Sequence, residues 1–155
     1  MGLQPRLVLD ASVLIEYIIA SSPYRQLMEG IFGEAVRGER KLFINSVTLS
    51  EALYIAMRVY RAAGLEDPNG EARRFAMWLT SRANIVNVDR DLALDAGELK
   101  KRLKIALPDC LVIATAGKVG GSALFKKVER EMLPILKELR RLNVLFLEEL
   151  LESRR

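Results

Sequence analysis

The chain has 155 residues, half of them hydrophobic and 28% charged, with 24 lysines and arginines against 20 acids. This fits one globular domain over 1–155, long enough to bury a real core, and excludes a disordered chain. With no histidine and a single cysteine, Cys110, the chain can have no Ser-His-Asp triad, no His-ligated or multi-Cys zinc site and no intrachain disulfide.

The hydrophobic pattern alternates along the chain. Arg6–Leu9 is a short apolar run that reads as a buried strand. Ala11–Ala20 has helical spacing, and a second helix follows from Pro23 to Arg37. Leu42–Ile44 is a second strand, Thr48–Ala63 a helix, and the stretch from Gly64 to Gly70 a loop dense in turn formers. A helix over Glu71–Ala83, a strand over Ile85–Val88 and a helix over Leu92–Leu103 come next. Pro108 suits the first turn of a very apolar helix, Cys110–Lys118, which Gly120 and Gly121 stop. Ala123–Phe125 is a strand, Glu129–Arg141 a helix, and Val144–Leu147 a last strand before a short tail. Strands alternating with helices imply an α/β fold around a mostly parallel sheet of four or five strands. The apolar stretch LVLDASVLIEYIIA is broken by Asp10 and Glu16, so it reads neither as a membrane span nor as a signal core. A cytoplasmic protein with no membrane partner is expected.

Charge is unevenly spread. Residues 1–99 carry a net −2 and residues 100–155 a net +6. Lysines and arginines cluster at 100–104, 126–130 and 137–141, each group able to attract a polyanion or to serve as a solvated helix face.

Ligands of parallel α/β sheets bind beyond the carboxyl ends of the strands, so the acids there are the candidates. Asp10 follows the first strand, Glu51 lies in the first turn of its helix, Asp109 follows Pro108 at a helix start, and Glu129 follows a later strand. Each also has a structural explanation. Asp10 can be an N-cap, Thr48 and Glu51 match a capping box, and Asp109 suits the positive end of a helix dipole. Together, several carboxylates at one sheet edge would repel one another unless a hard divalent cation such as Mg²⁺ neutralised them. Such an ion would supply the chemistry that histidine cannot, activating water and stabilising charge on a phosphoryl oxygen. Ser12 could hold a water or substrate oxygen, or simply bond the helix start. A phosphatase of the haloacid dehalogenase type is set aside, because its D-x-D pair reads Asp10-Ala11-Ser12 here. Asp89, Asp91 and Asp95 also follow a strand and are read as structural, Asp91 as a cap. Cys110 is read as a small buried apolar residue.

The segments LVLDASVLIEYI, SVTLSEALYIA and LPDCLVIATA resemble, in order and spacing, the signature blocks of the PIN-domain ribonucleases, and most nearly those of VapC-type toxins. The resemblance runs from Leu7 to about Leu147. It implies a three-layer α/β/α fold and a metal-dependent endoribonuclease, with Mg²⁺ or Mn²⁺ held by Asp10, Glu51 and Asp109 and with Ser12 beside them. The fourth family acid falls nearest to Glu129, a departure in residue type. The resemblance further implies an RNA substrate, an antitoxin protein as partner and a homodimer. Residues around Tyr54, Met57, Phe75 and Trp78 are read as core, with an interface as the second reading. Two alternatives stay open: a non-catalytic RNA- or partner-binding protein on the same fold, and a housekeeping nuclease of RNA processing.

Overall fold

In a computed structural model the described residues are 4–154. Five strands form one sheet: β1 (Arg6–Leu9), β2 (Lys41–Asn45), β3 (Asn84–Val86), β4 (Ser122–Phe125) and β5 (Leu145–Phe146). Every pairing is parallel and the order is β3-β2-β1-β4-β5. The central β1 is the point at which the chain switches from one half of the sheet to the other. Side chains alternate across the sheet. Leu7, Leu9, Leu42, Ile44 and Leu124 join one hydrophobic cluster, while Val8, Ala123 and Phe125 join the other.

On the first face lie α1 (Ala11–Glu16), α2 (Arg25–Val36), α3 (Ser46–Ala62) and α4 (Pro68–Arg82). Tyr17 stacks on Trp78 at 4.8 Å, and the Phe32 ring meets Trp78 edge-on at 4.9 Å. On the second face lie α5 (Arg90–Leu103), α6 (Leu107–Val119) and α7 (Leu136–Arg141). The three-layer α/β/α expectation is met, with a sheet that is wholly parallel. Among the described residues no helix is long and apolar enough to cross a membrane.

Several boundaries differ from the sequence expectations, for local reasons. α1 ends at Glu16, four residues early, because 17–24 fold into turns. α4 starts at Pro68, with Asp67 accepting the Gly70 N–H as its cap. The helix expected over Glu129–Arg141 is a 3-10 helix over Arg130–Ile135 followed by α7, since Pro134 has no N–H to give an α-helical ladder. The supposed tail after β5 is a helix, α8 (Leu147–Glu152). Gly120 ends α6 at φ +67°, and a Cβ on Gly121 would meet the Arg6 carbonyl oxygen at 2.6 Å, so this pair is needed where the chain enters β4 beside β1.

The Thr48–Glu51 capping box does not form. Asn45, at the end of β2, caps α3 instead by accepting the Thr48 N–H at 2.8 Å. Its amide donates to Thr115 Oγ1 at 3.3 Å, and both residues are fully buried. Asn45→Ala removes the cap and one bond to Thr115, whose hydroxyl keeps its bond to the Leu111 carbonyl, so a loss of about 1–2 kcal/mol in denaturant unfolding is expected; a loss below about 0.5 kcal/mol would show that the cap is dispensable.

Candidate active site

Asp10 follows the central strand β1, and its Oδ2 accepts both the Ser12 N–H at 3.1 Å and the Ser12 hydroxyl at 2.5 Å. Asp10 is therefore the N-cap of α1, and it is only 9% exposed. Ser12 Oγ also accepts the main-chain N–H of Lys126 at 3.1 Å, which joins the end of β4 to the start of α1. The expected first acid and its hydroxyl neighbour thus lie at the switch point of the sheet, beyond the strand ends.

Glu51 is the sixth residue of α3, not part of its first turn, and takes no part in capping. Asp109 is the third residue of α6. Glu129 directly precedes the 3-10 helix in extended backbone. The segment leading to Glu129 is pinned by α8. Glu148 donates its N–H to the Lys126 carbonyl at 2.9 Å, and its carboxylate accepts the Val128 N–H at 2.9 Å.

Three of these acids are raised above their ordinary values. Burial raises the Asp10 carboxyl above its usual range, and the charge of Glu129 adds to the rise. Glu51 is raised by burial and then by Asp10. Asp109 is raised to about 7, first by burial and then by Asp10, Glu131, Glu51 and Glu129. No cation is among the causes acting on any of these three groups. The fifth contributor, Glu131, was not among the sequence candidates. Its carboxylate accepts the Ala106 N–H at 3.1 Å, tying the 3-10 helix to the start of α6. Only its place two residues after Glu129 pointed to it.

Among the described residues, no three acid or thiol groups are gathered tightly enough to grip an ion as the side chains stand. The donor set itself is all carboxylate oxygen, which fits a hard divalent ion such as Mg²⁺ or Mn²⁺ and suits soft metals poorly.

The other candidates fall elsewhere. Asp89 caps α5 and pairs with Lys118 at 3.3 Å, and Asp91 pairs with Arg90; Asp89, and not Asp91, is the cap. Asp95 lines a groove of about 900 Å³ with Gln4, Gly121 and Asn143, which precede β1, β4 and β5. That groove touches none of Asp10, Glu51, Asp109 or Glu129. Cys110 is fully buried and burial pushes its thiol up, as a small apolar residue should behave. Phe75 is core, Met57 and Trp78 pack against it, but Tyr54 is 58% exposed and belongs to the surface. In the basic third, Lys100 donates to the Ile105 carbonyl, Arg102 pairs with Glu138 and Arg140 with Glu149, so these serve local structure. Lys127 and Arg130, on either side of Glu129, form no ion pair among the described residues.

A wholly parallel five-stranded sheet between two helix layers defines the class of fold. The family pattern described as PIN domain matches residues 7–145. This chain belongs to the PIN domain family. Its fold is similar to VapBC2 from Rickettsia felis bound to a promoter DNA fragment, at 17% identity and TM-score 0.61, covering 90% of this chain and 96% of that one. It is also similar to VapC20 of Mycobacterium tuberculosis, described as a Sarcin-Ricin loop cleaving toxin, at 17% identity and TM-score 0.58 over 76% and 86% of the chains. DNA-bound VapBC from Salmonella typhimurium is a third, at 19% identity and TM-score 0.60 over 82% and 89%. No curated protein sequence gives a significant match.

Proposed function

We propose that this chain is a divalent-metal-dependent endoribonuclease and the toxin of a toxin–antitoxin pair. The observation that carries the reading is that Glu51 and Asp109, each raised first by burial, also feel the charge of Asp10 at the end of β1, with no cation among the causes. Membership of the PIN domain family and likeness to VapC-type folds support it.

Asp10, Glu51, Asp109 and Glu129 would hold Mg²⁺ or Mn²⁺. When bound, the ion supplies Lewis-acid polarisation of a phosphodiester and a lowered pKa for attacking water. Asp10 is oriented by the two bonds from Ser12. Asp109, with a pKa of about 7, exchanges its proton near neutral pH. Lys127 and Arg130 meet the phosphate backbone on the side of Glu129, in a region whose net +6 attracts RNA. The exposed Tyr54 on α3 and Met77 on α4 are free to meet an antitoxin or a second copy of the chain.

Total cellular RNA incubated with the purified protein and Mn²⁺ should give discrete fragments. Chelated wild type and Asp10→Asn should give none. Cleavage in all three lanes would point to a different mechanism or a contaminant. A small reading frame directly upstream of the gene would favour a toxin over a housekeeping nuclease.

A further inference from the structure

Glu16 is a charged residue 5% exposed at the end of α1. Burying a carboxylate is costly unless it is paired and hydrogen-bonded, and nothing in the proposed chemistry uses it. It accepts a hydrogen bond from the Ser22 hydroxyl, and its Oε1 pairs with Lys126 Nζ at 2.5 Å. The Lys126 ammonium also lies 5.8 Å from the centre of the Tyr24 ring, whose backbone N–H donates to Ser22 Oγ. The main-chain N–H of the same Lys126 donates to Ser12 Oγ, and Ser12 holds Asp10.

One residue of the β4 end therefore grips both ends of a six-residue helix: its N–H holds the first turn and its side chain the last. A helix this short has little rigidity of its own, and Asp10 is its cap. We propose that Glu16 and Lys126 form a positioning pair that fixes the Asp10 carboxylate by clamping α1 to the end of β4. This inference rests on the reading of Asp10 as a metal-holding residue. Partners that orient a ligand from behind alter metal affinity and rate without touching substrate.

The test is Mn²⁺ binding by titration calorimetry on the full chain, with kcat and KM for RNA cleavage and thermal unfolding alongside. Glu16→Gln keeps an acceptor for Ser22 and leaves the 35%-exposed Lys126 side chain able to turn to water. It should weaken Mn²⁺ binding and lower kcat by about 10-fold each, with KM unchanged. The double variant Glu16→Met/Lys126→Met swaps the pair for apolar groups, which buried pairs often tolerate without loss of stability. It should unfold at or above the wild-type temperature and still bind Mn²⁺ as weakly as Glu16→Gln. Lys126→Arg keeps a cation opposite Glu16 and should stay close to wild type. A stable double variant with wild-type affinity and kcat would reduce the pair to a structural role and overturn the proposal. So would a rise in KM alone, which would make Lys126 an RNA contact. If Asp10→Asn itself bound Mn²⁺ like wild type, the underlying site assignment would fall, and that result is distinct from the other two.

Discussion

Asp10→Asn and Asp109→Asn should each lower Mn²⁺-dependent RNA cleavage by at least about 100-fold, since partners that merely orient metal ligands already cost 10–100-fold. Neither should unfold the protein. Asn caps a helix about as well as Asp, so the bond from the Ser12 N–H survives in Asp10→Asn. Both substitutions remove a carboxylate whose charged form burial disfavours, so the unfolding temperature at pH 8 should equal or exceed that of wild type. Stability and activity then move in opposite directions, which a core-damaging substitution cannot reproduce. Discrete RNA fragments persisting in both variants would defeat the assignment.

The second large effect concerns pH and divalent ions. Asp109 titrates near 7 in the folded chain against an ordinary 3.8, and Asp10 and Glu51 shift in the same direction. Between those values the folded chain keeps protons that the unfolded chain has released, so stability falls as pH rises from about 4 through about 7. Asp89, held below its usual range by the Leu92 N–H and Lys118, acts oppositely, and its contribution is lost on acidification. Without divalent ions the chain should therefore be most stable at mildly acidic pH and weaker at pH 8. Mn²⁺ competes with those protons, so its affinity should rise with pH and its binding should release protons. At a hundred times its Kd the ion adds about 2.7 kcal/mol to stability, which should remove most of the alkaline loss. Thermal unfolding from pH 5 to 8, with Mn²⁺ or with chelator, checks this. Equal stabilisation at both ends would place the ion away from Asp109.

Sequence order alone carried much of the architecture, because strand and helix periodicities are local. Leu7-Val8-Leu9 is a short apolar run that reads as a buried strand, and acids at the carboxyl ends of such strands share one edge of a parallel sheet. That logic made Asp10, with Ser12 beside it, and Glu129 candidates, whereas Asp109 was singled out by its place after Pro108 at the start of a helix. Capping was less legible. Thr48 and Glu51 match a box on paper, but β2 runs to Asn45, whose side chain reaches Thr48 first. The 3-10 helix around Pro134 and the terminal α8 were missed because weak helical spacing does not distinguish a tight turn or a tail from a regular helix.

What the tertiary structure decided is everything that depends on residues far apart in the chain. Glu16 stood out in the sequence only as a charge interrupting an apolar run, and Lys126 only as one lysine of a basic cluster. Their pairing exists because β4 lies beside β1. Glu131 reaches Ala106 across 25 residues, and Glu148 reaches Val128 across 20. Composition limited the chemistry open to the chain, since without histidine it leaves carboxylates, hydroxyls, amines or a metal held by oxygen. How deeply each carboxylate is buried and what holds it were set by strand order and packing, and burial is the first cause of the raised pKa of Asp109.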